Sequence, residues 1–357
     1  MAPEHDWHVF MTRRIPDATL DTLRAAGAIV TIGQSDEERG LEKVAIIDGV
    51  RHADVLISLL TEPIDRDVLT ANPKLRGIAN YAVGFNNIDI AAATELGIPV
   101  SNTPGVLTET SADLTWALLL AVARRIVPAH DYMVGGRYKL WGPNLFLGDD
   151  VGTGASGTRK VLGIVGYGRI GSAVATRAIG FDMDVLAYDP HNQEAIARDA
   201  ADPSRHVRAS SLDELLRESD FIALHPLLTP ETHHLIGERE LGMMKPTAYL
   251  INVARGPVVD ERALVRALQA HRIAGAALDV YEDEPRMAPG LAECDNVVLV
   301  PHIASASHDT RDRMAVMVAE NVIAHERGER APNVVNPEVY DTAAYRRRRA
   351  AAVMSST

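Results

Sequence analysis

Short apolar runs alternate along the first hundred residues with segments whose apolar positions recur at helical spacing. The runs Trp7–Thr12, Ala28–Ile32, Val55–Leu60, Leu75–Ala79 and Pro99–Ser101 are predicted as strands. Helices are predicted over Thr19–Ala26, with Gly27 as its stop, over Glu38–Val50 and over Ile90–Leu96. Strand and helix in strict alternation give a parallel α/β sheet. The segment after the fourth run, Asn80 to Asp89, is rich in turn formers and lies where such sheets bind ligands.

A second alternation begins at Val161. The run Val161–Val165 enters Gly166-Tyr-Gly168-Arg-Ile-Gly171, a helix is predicted from Arg169 to Ile179 with Gly180 after it, and Val185–Tyr188 ends at Asp189. Strand, glycine turn, helix, strand and acid in that order are the fingerprint of a dinucleotide site. Gly166 allows the tight turn, Gly168 lets the backbone approach a pyrophosphate, and Gly171 lets helix and strand pack closely. The helix N-terminus offers N–H groups and a positive dipole end to the phosphates. Asp189 suits a ribose diol and repels a 2′-phosphate, and Pro190-His191-Asn192 follows without an arginine, so NAD is expected in preference to NADP. Helices at Leu212–Glu218, around Arg239–Met244 and at Glu261–Ala270 alternate with strands Phe221–Leu224, Ala248–Val253, Ala274–Leu278 and Val297–Val300. The long helical segment Ala306–Glu326 exceeds what that sheet needs and is expected to cross back to the first domain.

Composition narrows the class. At 357 residues the chain exceeds one typical core and suggests two domains. An apolar fraction of 46% with 24% charged residues fits a soluble globular protein, and a formal charge of −12 disfavours nucleic acid as a partner. The single cysteine, Cys294, excludes an intramolecular disulfide and fits a reducing cytoplasm. The first residues lack the basic region and apolar core of a signal peptide, and the most apolar helix, near Leu114–Val122, is too short to span a bilayer. A cytoplasmic protein with no membrane contact and no metal is expected.

Three polar segments end late strands. Arg255, in Ile251-Asn-Val-Ala-Arg255-Gly256, is suited to gripping a carboxylate bidentately, and equally to a surface salt bridge. Ala277-Leu-Asp279-Val-Tyr-Glu282-Asp-Glu284-Pro285 carries four acids in six positions, either functional or solvated loop charges. His302, in Val300-Pro-His302-Ile-Ala-Ser305, follows an apolar strand; histidine is the natural acid/base near neutral pH, and a neighbouring carboxylate stabilises its cation.

Taken in order, Gly-Tyr-Gly-Arg-Ile-Gly, Asp189, Asn-Val-Ala-Arg-Gly-Pro-Val-Val-Asp, Leu-Asp-Val-Tyr-Glu-Asp-Glu-Pro and Pro-His-Ile-Ala-Ser-Ala resemble the D-isomer-specific 2-hydroxyacid dehydrogenase family. The likeness runs from the first strand to Asn333-Val-Val-Asn-Pro337 and is nearest to the glyoxylate/hydroxypyruvate reductase and glycerate dehydrogenase branch. It implies two doubly wound α/β domains, Rossmann-like and flavodoxin-like. An NAD-binding domain over 104–301 is inserted into a discontinuous substrate-binding domain made of 1–103 and 302–340. Residues 341–357, with Arg346–Arg349, are read as a disordered, solvated tail.

The resemblance also implies roles. Arg255 orients the carboxylate and 2-oxygen of a 2-oxo acid, His302 donates the proton in reduction, and Glu284 orients His302. Val83 and Gly84 hold the substrate carboxylate through backbone N–H groups. Asp279 steadies the nicotinamide end, Leu227 of His225-Pro-Leu227 borders the adenosine, Arg169 and Ile170 cover the pyrophosphate, and Val253 joins the cofactor contacts. A homodimer through the nucleotide domains is implied. Trp141 is either a ring reaching a neighbouring subunit's site or a buried core ring. Val83 stands where phosphite-oxidising members have lysine, which argues against phosphite, while an organic phosphonate substrate and an NAD(H)-sensing corepressor stay open as alternatives. Glu284 argues against the formate dehydrogenase branch, which replaces it.

Overall fold

A computed structural model describes residues 7–35 and 39–354. The first six residues, read above for a signal peptide, and the predicted helix start at Glu38 lie outside them. Contacts divide the chain into two compact units, Met1–Val106 with Ser307–Thr357, and Leu107–Ala306. His302 therefore falls in the second unit, whereas the sequence placed it at the start of the returning segment.

In the first unit, β1 (Trp7–Arg13), α1 (Asp17–Ala25), β2 (Ala28–Gln34), α2 (Lys43–Arg51), β3 (Val55–Ser58), α3 (Arg66–Thr70), β4 (Gly77–Asn80), α4 (Ile90–Glu95) and β5 (Val100–Ser101) follow one another. Among the described residues they form a five-stranded sheet, ordered β2-β1-β3-β4-β5, with every pairing parallel. The short strands β3 and β4 are buried along their whole length, as a sheet covered on both faces requires. Helix α2 starts later than expected: Gly40 is a poor helix former, and the apolar pair Ile46 and Val50 that anchors the helix lies further on.

The second unit runs through α5 (Thr108–Ala123), α6 (Ile126–Val134), β6 (Val161–Val165), α7 (Arg169–Ala178), β7 (Asp184–Tyr188), α8 (Gln193–Ala200), β8 (Val207–Ala209), α9 (Leu212–Glu218), β9 (Phe221–Leu224), α10 (Glu238–Met243), β10 (Tyr249–Asn252), α11 (Glu261–Gln269), β11 (Gly275–Leu278) and β12 (Val297–Leu299). Among the described residues these strands form a seven-stranded parallel sheet ordered β12-β11-β10-β9-β6-β7-β8. The order reverses at β6, between β9 and β7, and such a switch point is where doubly wound sheets bind dinucleotides. Helix α5 packs on β10, β11 and α7, with Trp116 stacked on Phe181 at 4.4 Å between ring centroids. No helix among the described residues is long and apolar enough to cross a membrane.

The chain then returns to the first unit through α12 (His308–Arg327), which is capped by Ser307 and closed by Gly328 at φ +64°. Helix α12 packs on α1, β3 and β4, and Thr19 donates to the Ala315 carbonyl at 2.8 Å. The expected disordered tail is instead a helix, α13 (Ala343–Met354). Its start is fixed by Thr342, whose hydroxyl accepts the Tyr345 N–H, and by Tyr345 packed edge-on to Tyr340. Arg348 then donates to the carbonyls of Asn72, Leu75 and Leu96. Read as a solvated run of arginines, the tail owes its order to these distant carbonyls.

Candidate active site

Three glycines shape the junction between β6 and α7. Gly166 adopts φ +88°, and a Cβ there would lie 2.5 Å from the Pro226 nitrogen. A Cβ on Gly171 would run into the Gly166 carbonyl, so helix and turn could not pack as they do. Around Gly168 nothing lies within 4 Å of where a Cβ would stand, which leaves room for a phosphate against the backbone. Helix α7 has no side-chain cap, and among the described residues the N–H groups of Gly168, Arg169 and Ile170 find no acceptor. Arg169 is exposed and forms no ion pair among the described residues. An uncapped helix N-terminus with a free cation beside it fits a pyrophosphate.

At the end of β7, the Asp189 carboxylate accepts the N–H groups of Tyr167 and His191, each at 2.9 Å. These bonds fix it beside the glycine turn. Beneath that turn Tyr167, fully buried, donates to Asp199, which also accepts from Ser172 and pairs with Arg198 and Arg205. Burial, then the Asp199 contact, pushes the Tyr167 phenol well above its ordinary pKa. Nothing in the motif flagged Asp199, since it comes from the helix after Asp189. Leu227 is 78% exposed, an unusual position for a leucine and one that an adenosine would cover, while Val253 is buried. The His225 ring is buried with neither nitrogen hydrogen-bonded among the described residues, and burial lowers its pKa to about 3.

The ends of β10, β11 and β12 bring the predicted acid/base group together. Asn252, buried at the end of β10, accepts the Ala254 N–H and donates to the Arg255 carbonyl, pinching the turn that carries Arg255. Gly256 follows because a Cβ there would collide with the Tyr281 carbonyl. The Arg255 guanidinium donates to the Ala254 carbonyl at 2.7 Å, and among the described residues no carboxylate pairs with it. Burial lowers its pKa, partly offset by the charge of Glu284; a guanidinium remains protonated all the same. The result is a half-desolvated cation without an anion.

His302 and Glu284 do pair, with Nδ1 and Oε2 2.9 Å apart. Burial alone would raise the Glu284 pKa, but the His302 hydrogen bond and charge, the Tyr281 N–H and the Arg255 charge together hold it below its ordinary value. An ionised carboxylate only accepts, so Nδ1 of His302 carries the hydrogen and Nε2 is left to hold or release a proton. Glu282, the nearer neighbour by sequence to Asp279, points elsewhere and bonds His234.

Asp279 is fully buried, and both its carboxylate oxygens are taken by the His302 segment. It accepts the Ile303 N–H at 2.6 Å and the Ala304 N–H at 2.9 Å, and its own carbonyl accepts the His302 N–H at 2.8 Å. Burial raises its pKa against these bonds. His302 is held at φ +54°, a left-handed conformation uncommon outside glycine, and Asp279 is what holds it. The sequence reading gave Asp279 to the nicotinamide; the geometry gives it first to the backbone around His302. Tyr281 and Asn252 are positioning residues that the sequence reading did not single out, although a buried asparagine at a strand end was the available signal.

In the first unit, Val83 and Gly84 follow β4. Asn102 donates to the Val83 carbonyl at 2.7 Å and Asn80 to the Gly84 carbonyl at 2.9 Å. With the carbonyls tied back, the N–H groups of both residues have no acceptor among the described residues. Consecutive free N–H groups are a usual way to hold an anion. Trp141 is 71% exposed, so it is not a core ring.

The comparisons agree with this chemistry. A family profile, the D-isomer specific 2-hydroxyacid dehydrogenase NAD binding domain, matches residues 116–304. A glyoxylate reductase of Korarchaeum cryptofilum is 51% identical over 334 residues, covering 93% of this chain and 96% of that protein. One from Pyrococcus horikoshii is 46% identical over 335 residues, again covering 93% and 96%. Among solved structures, a glyoxylate reductase from Paecilomyes thermophila superposes with a TM-score of 0.76 at 31% identity, covering 92% of this chain and 98% of that one. The chain belongs to the D-isomer-specific 2-hydroxyacid dehydrogenase family and is an oxidoreductase of the CH–OH group that uses NAD or NADP.

Proposed function

We propose that the protein reduces a small 2-oxo acid of the glyoxylate or hydroxypyruvate kind to its D-2-hydroxy acid, with NADH preferred over NADPH. The observation that carries this reading is the unpaired, half-buried Arg255 in the same unit as the His302–Glu284 pair: an anion grip and an acid/base couple. The relatives named above support the substrate class, and they do not favour a phosphonate dehydrogenase or a corepressor.

A nicotinamide held at the glycine turn would, when bound, supply a hydride, that is two electrons and one hydrogen, for the 2-carbon. The chain's own residues do the rest. Arg255 holds the carboxylate and faces the negative charge that develops on the 2-oxygen, stabilising it electrostatically. His302 delivers the proton from Nε2 to that oxygen, and Glu284 stabilises the charged imidazole beforehand. The family likeness assigns the free N–H groups of Val83 and Gly84 to the substrate carboxylate. The glycine turn with Arg169 and Ile170 is assigned to the pyrophosphate, Asp189 to the ribose diol, and Leu227, Val253 and Asp279 to the rest of the cofactor. The Asp189 carboxylate, fixed by two backbone N–H groups with no arginine beside it in sequence, supports the preference for NAD.

We infer a homodimer as well. Ile126, Val134, Leu140, Trp141 and Leu147, all on the second unit, are exposed large apolar side chains of the kind that protein contacts cover. A cytoplasmic location is inferred from the lone free Cys294.

Assaying 2-oxo acids and phosphonates with NADH and NADPH tests the reading. Acid/base assistance is worth ~10²–10⁴ in rate, so His302→Ala should lower kcat by that much while NADH affinity holds. Near-normal turnover in that variant, or tight NADH binding without turnover of any 2-oxo acid by the wild type, would overturn it.

A further inference from the structure

The second unit carries another cluster of chemistry-bearing side chains, away from the His302–Glu284 pair. His233, His234 and Glu282 place one donor atom each within 4.8 Å of one another. His234 Nε2 lies 2.7 Å from Glu282 Oε1, and the two imidazole rings sit 4.1 Å apart at 32°. His233 is exposed, while the other two are about one-third exposed.

The cluster is built rather than incidental. His234 adopts φ +51°, which a side chain bearing Cβ rarely does, and its N–H is tied to the Pro257 carbonyl at 2.8 Å. Glu282 is oriented from behind, since Oε2 accepts the Glu261 N–H at 3.2 Å and its own N–H donates to buried Glu261. Oε1 is left for the histidines. Metal sites characteristically fix their ligating carboxylates through such backing hydrogen bonds.

Two imidazoles and one carboxylate select the ion. Mg²⁺ and Ca²⁺ take oxygen donors, whereas Zn²⁺, Ni²⁺ and Cu²⁺ take imidazole readily. Metal–ligand bonds of about 2.1 Å give tetrahedral edges of roughly 3.4 Å, so the three donors need only small side-chain rotations to converge. Three protein ligands leave a fourth position for water.

We propose that His233, His234 and Glu282 bind a divalent transition metal of the Zn²⁺ type, clipping together the turn after Arg255 and the loop that leads to Glu284. The clip follows from the chain path. His234 hangs on Pro257, two residues past Arg255, and Glu282 lies two residues before Glu284. The sequence predicts no metal because its two adjacent histidines and a glutamate 48 residues later match no ligand spacing.

The experiment reads binding without cofactor or substrate, so it stands apart from the proposed reduction. Purified protein is titrated with ZnCl₂ by calorimetry, and its melting temperature is followed with ZnCl₂ and with MgCl₂. One equivalent of Zn²⁺ should bind and raise Tm, as a ligand of the folded state does, and Mg²⁺ should leave Tm unmoved. His233→Ala and Glu282→Gln should each weaken binding at least ~10-fold and abolish the rise in Tm. His233 is exposed, so its variant should fold and keep metal-free turnover, while His302→Asn should keep the Zn²⁺ site. Absence of Zn²⁺ binding by the wild type, unchanged binding in both cluster variants, or loss of binding in His302→Asn would overturn the proposal.

Discussion

The two strand-to-helix junctions at β6–α7 and β4–α4 belong to the same kind of parallel sheet and treat the helix end in opposite ways. At β6–α7 the helix N-terminus is left uncapped, with open space at Gly168 and free N–H groups behind it. At β4–α4 the Asp89 side chain accepts the Ala92 N–H at 2.9 Å and puts a negative charge on the end of a six-residue helix. That helix end is closed to anions. Donors there come instead from the loop, where Asn102 and Asn80 tie back the Val83 and Gly84 carbonyls and leave two N–H groups free. One fold therefore presents free N–H groups in two ways, at an uncapped helix end and in a loop beside a capped one; the proposed function gives the first to a diphosphate and the second to a carboxylate.

Moving the cap from one junction to the other breaks this contrast most sharply. Gly168 has φ −80°, and a Cβ there meets nothing within 4 Å, so Gly168→Asp should fold. Its carboxylate would face the pyrophosphate at a cost of several kcal/mol, weakening NADH binding at least ~100-fold. Cofactor fluorescence titration measures this, and retained affinity would remove the α7 N-terminus from the cofactor site.

A smaller effect separates the histidines rather than the helix ends. His325, on α12 in the first unit, is fully enclosed, with Nε2 3.0 Å from the Ser101 hydroxyl, and burial lowers its pKa to about 4. Its folded-state pKa lies below the unfolded value of 6.5, so no stability is lost above pH 6.5. From there down to about pH 4 the unfolded chain takes up a proton that the folded one refuses, which removes about 3 kcal/mol. His325→Leu should flatten the fall in urea midpoint by that amount, with the acid response of buried His225 remaining. A variant as acid-sensitive as the wild type would show that His325 is not the group responsible.

The mildest test removes the cap that α4 has. Asp89→Ala should cost about 1 kcal/mol of stability in urea denaturation and leave NADH binding untouched. A change in NADH affinity would contradict the assignment of the two junctions to different ligands.

What could be read in the residues follows the same division between local and distant causes. The glycine turn and Asp189 stand out because each chemical task restricts the residue type at a fixed place along the chain, whereas Arg255, Glu284 and His302 took their roles from the family likeness. The family likeness, not spacing, chose Glu284 over Glu282; the structure explains that choice by giving Glu282 to His234. Helices α3, α6, α8 and α13 were missed. Six of nine α6 residues are exposed or half-exposed apolar or small groups with no inward face, and α13 carries four arginines in a row. In α13 the order comes from Arg348 reaching carbonyls some 250 residues earlier, which no window along the sequence contains.

The insertion also sets an order of events during synthesis. Unit one needs α12, whose Ala315 carbonyl receives Thr19 across 296 residues, whereas unit two is one continuous stretch from Leu107 to Ala306. At roughly 5–20 residues per second, the N-terminal strands wait some tens of seconds on the ribosome for the helix that covers them. The nucleotide-binding unit can close on itself during that interval. A nascent chain stalled once Ala306 has emerged from the ribosome should therefore bind NADH while its first hundred residues remain open to protease.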